Sequence, residues 1–140
     1  MPDGVEIRRI THAADLEDLI AVSSAAFGRD DRRKIDVFRR RLGDPTLGLY
    51  VAYAERRPVS GARLELAPGR SFAGLWGGGT VPGYRSRGIY RGLVAARARE
   101  ALRRGYRYLT VDARETSRPV LARLGFSALT SITGWKLKPK

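Results

Sequence analysis

The chain contains no cysteine and a single histidine, His12. Without cysteine there is no disulfide scaffold, zinc finger, iron–sulfur cluster or thiol nucleophile. One histidine is too few for a His-based metal site and gives little support to a Ser-His-Asp triad, so no metal is expected. Runs of 18 or more apolar residues are absent, which excludes a membrane-spanning helix, and Met1-Pro2-Asp3-Gly4 does not read as a signal peptide. Internal repeats, low-complexity blocks and linkers are also missing. With 140 residues, a single domain over 1–140 in a soluble, cytoplasmic protein is expected, with no membrane partner. The 43% apolar and 9% aromatic content argues against a disordered chain.

Negative charge is scarce: 14 Asp and Glu stand against 27 Lys and Arg, for a net charge of +13. Lysine is scarce too, present only as Lys34, Lys136, Lys138 and Lys140, so the basic residues are nearly all arginine. Residues 1–70 carry 13 basic and 11 acidic groups, whereas residues 71–140 carry 14 and 3. Eight arginines fall within 85–107, opposed by Glu100 alone. A basic half of this kind marks an anionic partner, a phosphorylated ligand or an arginine-rich composition.

Hydrophobic spacing predicts alternating elements. Residues 5–10 read as a strand, 15–27 as a helix with Leu16, Leu19, Ile20, Ser23 and Phe27 on one face, and 31–42 as a second helix. Strands follow at 47–55, 59–67 and 72–81, the first two joined by a turn at 56–58. Trp76, on a central strand, is expected in the core, and Gly77-Gly78-Gly79 reads as a bulge or a close backbone approach. A loop at 82–88 leads into a helix at 89–104 with Val94, Ala98, Ala101 and Leu102 on its apolar face. A strand (106–112), a short helix (117–124) and a last strand or hairpin (128–137) complete the chain. This order implies a mixed sheet with helices on both faces.

The segment from Trp76 to Arg104 carries the chemistry. A glycine-bearing loop that feeds a helix directly offers backbone N–H groups with no partner inside the helix, at the positive end of its dipole. Gly88 lets that backbone approach an anion, and Arg85, Arg87 and Arg91 surround it with charge. The segment Gly83-Tyr84-Arg85-Ser86-Arg87-Gly88 has the glycine spacing of a P-loop. However, Ile89-Tyr90 replaces the lysine and hydroxyl that a nucleotide-hydrolysing site needs. No G-x-G-x-x-G follows a strand, which excludes a dinucleotide-binding Rossmann site.

At Val81-Pro82-Gly83-Tyr84-Arg85-Ser86-Arg87-Gly88-Ile89-Tyr90 the sequence resembles the GNAT superfamily of acyl-CoA-dependent N-acyltransferases. Its second hallmark, a strand and then a short helix ending in Gly-Phe, corresponds here to 108–112 followed by 117–126, closing on Gly125-Phe126. The resemblance implies a mixed α/β (α+β) fold. Its central sheet would be mostly antiparallel and splayed between two middle strands, with helices on both faces. It also implies acetyl-CoA as co-substrate, with Thr80, Val81, Arg85, Ser86, Arg87, Gly88, Ile89, Tyr90 and Ser117 contacting the coenzyme. The backbone of 85–90 would hold the pyrophosphate, and Val81 would pair with the pantetheine arm. Two positions depart from the family pattern: Tyr90 replaces a small residue, and Leu121 stands where many members have a proton-donating tyrosine.

Amine attack on a thioester needs a neutral amine, hence an acceptor for its proton. The strand 72–81 has no acid; Glu65 on the preceding strand is the first candidate base and Glu115 the next. The expected activity is acetyl transfer to a primary amine of an unidentified acceptor, by direct attack in a ternary complex. Two other readings remain: a coenzyme-binding protein of this fold without catalysis, and a basic nucleic-acid-binding module. The last is disfavoured because the arginines gather in one loop and helix, with no recognisable nucleic-acid motif. A homodimer is left open.

Overall fold

The computed structural model describes residues 4–111, 118–123 and 125. In chain order these form β1 (Val5–Arg9), a 3-10 turn (Ala13–Asp15), α1 (Leu16–Phe27), α2 (Lys34–Arg41), β2 (Leu47–Ala54) and β3 (Arg57–Glu65). Then follow β4 (Phe72–Thr80), α3 (Ile89–Arg103), β5 (Tyr108–Val111) and α4 (Arg118–Arg123). The strand expected at 128–137 lies outside the described residues. The five strands make one open sheet in the order β1-β2-β3-β4-β5, antiparallel except for the parallel pair β4–β5. No helix among the described residues is long and apolar enough to cross a membrane.

Every residue of β2 is buried, because each of its two faces meets a separate core. Leu47, Leu49, Val51 and Tyr53 pack with Leu16, Leu19 and Ile20 of α1 and Phe38 of α2. Tyr50, Ala52 and Ala54 pack on the other side with Ile89, Leu93 and Val94 of α3 and Leu121 of α4. Helices therefore cover both faces, as the element order implies.

Local chemistry moves some boundaries. The second helix is shorter than the expected 31–42, beginning at Lys34. Asp31 is buried and committed elsewhere: it accepts from Ser23 Oγ and Arg29 Nε and lies 3.4 Å from Lys34 Nζ, while its own N–H donates to Ser24 Oγ. Residues 31–33 consequently form turns, with Lys34 and Ile35 bonded three residues back. The β2–β3 turn falls at Glu55 and Arg56, with φ of 51° and 68°, so β3 starts at Arg57, earlier than expected. Two positive φ values in a two-residue loop match the right-handed twist of the strands.

The buried face of α3 also differs from expectation. Leu102 is 74% exposed, and the inward stripe runs through Ile89, Leu93, Val94, Arg97, Glu100 and Ala101. Two charged residues occupy apolar-stripe positions, and each has its own partners. Glu100 accepts from Tyr50 Oη, from Arg9 Nε at 2.8 Å and Nη2 at 3.2 Å, and from Arg104 Nη1 at 3.2 Å. This joins α3 to the edge strand β1 and to its neighbour β2. Burial raises the Glu100 carboxyl, but the hydrogen bonds from Arg9 and Tyr50 outweigh it and hold the group below its ordinary value.

The folded chain thus binds the Glu100 proton less tightly than the unfolded chain. The stabilisation is complete above the ordinary carboxyl value and is lost as pH falls through the depressed one. Glu100→Gln should cost about 1–3 kcal/mol at pH 7 in urea unfolding. Between about pH 5 and pH 3 the variant should lose less stability than the parent; parallel pH curves would show that folding leaves the Glu100 carboxyl unshifted.

Candidate functional site

Between β3 and β4 the register slips: Gly61 faces Gly79, but Arg63 faces Trp76. The extra β4 residues are accommodated by the glycine run. Gly77 has φ +62°, which a side chain rarely adopts; a Cβ on Gly78 would lie 3.0 Å from the Tyr90 ring, and one on Gly79 3.0 Å from Ala26. On its other edge, β4 pairs with β5 only from Phe72–Tyr108 to Leu75–Val111 among the described residues. Residues 112–117 are not described, so the pairing of β4 beyond Leu75, and with it the expected splay, lies outside the described residues.

A cavity of about 260 Å³ opens at this point. Its walls come from Leu19, Ser23 and Phe27 of α1, Lys34 and Phe38 of α2, and the turn residue Arg29. Residues 61–63 of β3, 75–78 of β4, Tyr90 and Arg97 of α3, and Val111 of β5 complete it. Trp76 is 44% exposed and lines this cavity rather than the core, because it lies on the opposite face of β4 from the buried Leu75.

Arg97 is the site residue that sequence reasoning missed. It is 1% exposed, among the largest fully buried side chains, and has no carboxylate partner among the described residues. Nε donates to the Leu93 carbonyl at 3.1 Å, and Nη1 to the carbonyls of Arg63 at 3.0 Å and Trp76 at 3.4 Å. Those carbonyls flank the slipped register, so one guanidinium replaces ladder bonds that the bulge removes. Burial lowers its pKa to about 10, with the phenols of Tyr90 and Tyr50 acting in the opposite sense. A detectable signal was its spacing, four residues after Leu93 and eight after Ile89, on the apolar stripe.

The loop after β4 is exposed along residues 85–88. Ser86 has φ +63° and Gly88, the N-cap of α3, has φ +81°; no side chain caps the helix, and its first turn holds no acid. Arg85 braces the loop, donating from Nε to the Thr80 carbonyl at 3.0 Å and from Nη2 to the Ala26 carbonyl at 2.9 Å. Arg87 lies over the Tyr84 ring at 5.1 Å. Ile89 is buried in the core, whereas Tyr90 reaches the cavity.

Thr80 Oγ1 pairs with Ser60 Oγ at 2.9 Å, and the Val81 N–H is bonded to the Val59 carbonyl at 2.8 Å. Glu65 does not line the cavity: its carboxylate is held by Arg41 Nη1 at 3.4 Å and Nη2 at 3.3 Å. Ser117 and Glu115 lie outside the described residues. Leu121 is buried in the α3-side core. Of the expected site residues, Tyr90 joins Gly77 and Gly78 in the cavity wall, residues 85–88 lie in the exposed loop before it, and Glu65 is not part of that wall.

A family model described as the acetyltransferase (GNAT) family matches residues 14–126. In fold the chain is similar to an acetyltransferase of Trypanosoma brucei, with a TM-score of 0.80 and 18% identity over 95% of this chain and 99% of that one. It is similar to an aminoglycoside antibiotic 6′-N-acetyltransferase from Acinetobacter baumannii, with a TM-score of 0.78 and 20% identity over 98% and 100%. A predicted acetyltransferase from Clostridium acetobutylicum, solved with acetyl-CoA, gives 0.76 and 17% over 94% and 96%. No curated protein sequence matches this chain significantly.

Replacing Arg97 by Met should leave the carbonyls of Arg63 and Trp76 without their partner. A loss of about 1–3 kcal/mol in urea unfolding is expected, with faster amide exchange along residues 76–78. Unchanged stability would show that the bulge does not need the guanidinium.

Proposed function

This chain belongs to the acetyltransferase (GNAT) family, and from that premise we propose that it transfers the acetyl group of acetyl-CoA to a primary amine by direct attack. The observation that carries this reading is the exposed 85–88 loop at the uncapped start of α3, directly after the bulged strand β4. The structural neighbour solved with acetyl-CoA supports the choice of donor.

The N–H groups of the first turn of α3 are directed at an anion, and no acid in that turn opposes the dipole. They hold the coenzyme's pyrophosphate, with Arg87 and Arg91 nearby to add charge. Arg85 keeps the loop in shape through its two carbonyl bonds. Because the Val81 N–H is bonded to β3, the donor to the thioester oxygen is a backbone N–H further back in β4, among residues 77–80. The chain has no cysteine to carry the acyl group, which agrees with direct transfer.

The attacking amine must lose a proton, and no carboxylate lines the cavity among the described residues. Arg29, Lys34, Arg63 and Arg97 do line it, and like charge disfavours an ammonium ion there. The cavity itself therefore favours the neutral amine, with water carrying the proton away. Tyr90 is the cavity hydroxyl free to protonate the departing thiolate, since Ser23 donates to Asp31 and Leu121 has no proton to give.

Calorimetric titration with acetyl-CoA tests the loop. Gly88→Ala carries the strain of a positive φ without charge, and Gly88→Glu adds a carboxylate; the second should weaken binding by roughly tenfold more than the first. Equal effects would refute pyrophosphate binding at the loop. Free-thiol release across an amine panel tests transfer, and coenzyme binding without release from any amine would favour a non-catalytic coenzyme binder. Tyr90→Phe should lower kcat by roughly 10²-fold while leaving acetyl-CoA affinity unchanged; an unaltered kcat would remove Tyr90 from the proton path.

A further inference from the structure

The cavity has a charge that the transfer reaction alone does not require. Arg29 and Lys34 share one carboxylate, Asp31, which lies behind the wall rather than in it. Arg63 and Arg97 have no carboxylate partner among the described residues. Arg63 makes no side-chain hydrogen bond among those residues; its guanidinium lies 5.8 Å from the centre of the Phe38 ring, on the α1–α2 side of the sheet. Arg97 Nη2 also has no hydrogen bond there, although Nε and Nη1 are engaged. The two groups flank the β4 bulge: a Cβ on Gly77 would lie 3.4 Å from Arg63 Nε, and one on Gly78 3.6 Å from Arg97 Nη2.

A guanidinium taken out of water without a counter-ion is costly, and a ligand carboxylate is the planar group that matches its donors. We propose that the acceptor is a small amine bearing a carboxylate, which docks on Arg63 and the free edge of Arg97 while its amine faces β4. This rests on the transferase reading of the same cavity. The volume of about 260 Å³ lies below the roughly 300–1,000 Å³ of sites for drug-sized ligands, which fits a compact acceptor. The cavity's charge also opposes a polycation, so the fold shared with an aminoglycoside acetyltransferase does not extend to acceptor charge.

The test separates binding from transfer. With coenzyme A present, calorimetric titration compares N-acetylalanine with N-acetylalaninamide on the parent and on Arg63→Gln, a half-buried position whose change spares the core. The carboxylate should bind at least roughly tenfold tighter than the amide, and Arg63→Gln should remove most of that difference. Thiol release from acetyl-CoA should then show alanine preferred over alaninamide, spermidine and kanamycin, with the preference reduced in Arg63→Gln. Equal binding of acid and amide, or a preference for a polycation, would overturn the proposal. So would a carboxylate preference that appears only on the donor, as tighter binding of succinyl-CoA than acetyl-CoA lost in Arg63→Gln. Carboxylate binding that depends on Arg63 without thiol release from any amine would uphold the anion site and refute the transferase reading alone.

Discussion

At the slipped register between β3 and β4, the carbonyls of Arg63 and Trp76 both accept from Arg97, reaching up from α3. Most of the site follows from that contact. The bulge carries three glycines through a path that side chains would obstruct, and Gly77 and Gly78 line the cavity. An apolar residue at position 97 would leave strand carbonyls buried and unbonded, a cost of the order of 1–3 kcal/mol. A charged residue with no carboxylate beside it solves the backbone problem and also leaves positive charge in the cavity wall.

Glu100, one turn further along the same face, anchors the other end of the sheet. It draws together Arg9, Tyr50 and Arg104, so α3 is held to β1 and β2 by one group and to β3 and β4 by another. Part of the arginine-rich segment is engaged within the fold. Of its eight arginines, Arg97 is buried, Arg85 is bonded to backbone carbonyls, and Arg104 bonds Glu100 and the Pro45 carbonyl. The charge concentrated there serves the helix start, the bulge and the sheet edge.

The sequence made the architecture readable because its signals are local. Alternation marked the strands, the glycine run marked the bulge, and Gly88 marked the turn into α3, where it has φ +81°. What it hid was tertiary. The start of α2 depended on Asp31 folding back onto Ser23 and Ser24, which spacing along one helix does not report. The inward face of α3 was misjudged because Arg97 and Glu100 carry charge, and only the carbonyls, Tyr50 and Arg9 across the fold show why charge is tolerated there. Trp76 was expected in the core because it lies on a central strand, but its face of β4 opens on the cavity. Glu65 drew attention through its place in the sequence, and its ion pair with Arg41 became visible only when α2 was set against β3.

Amide hydrogen exchange by NMR, with and without coenzyme A, bears most directly on the central claim that the loop backbone at the start of α3 receives a pyrophosphate. Protection should rise at the amides of residues 85–90, with a smaller rise along 77–80, and should stay unchanged on β1 and β2. Protection confined to other surfaces, or no change at residues 85–90 when the protein is saturated with coenzyme A, would contradict it.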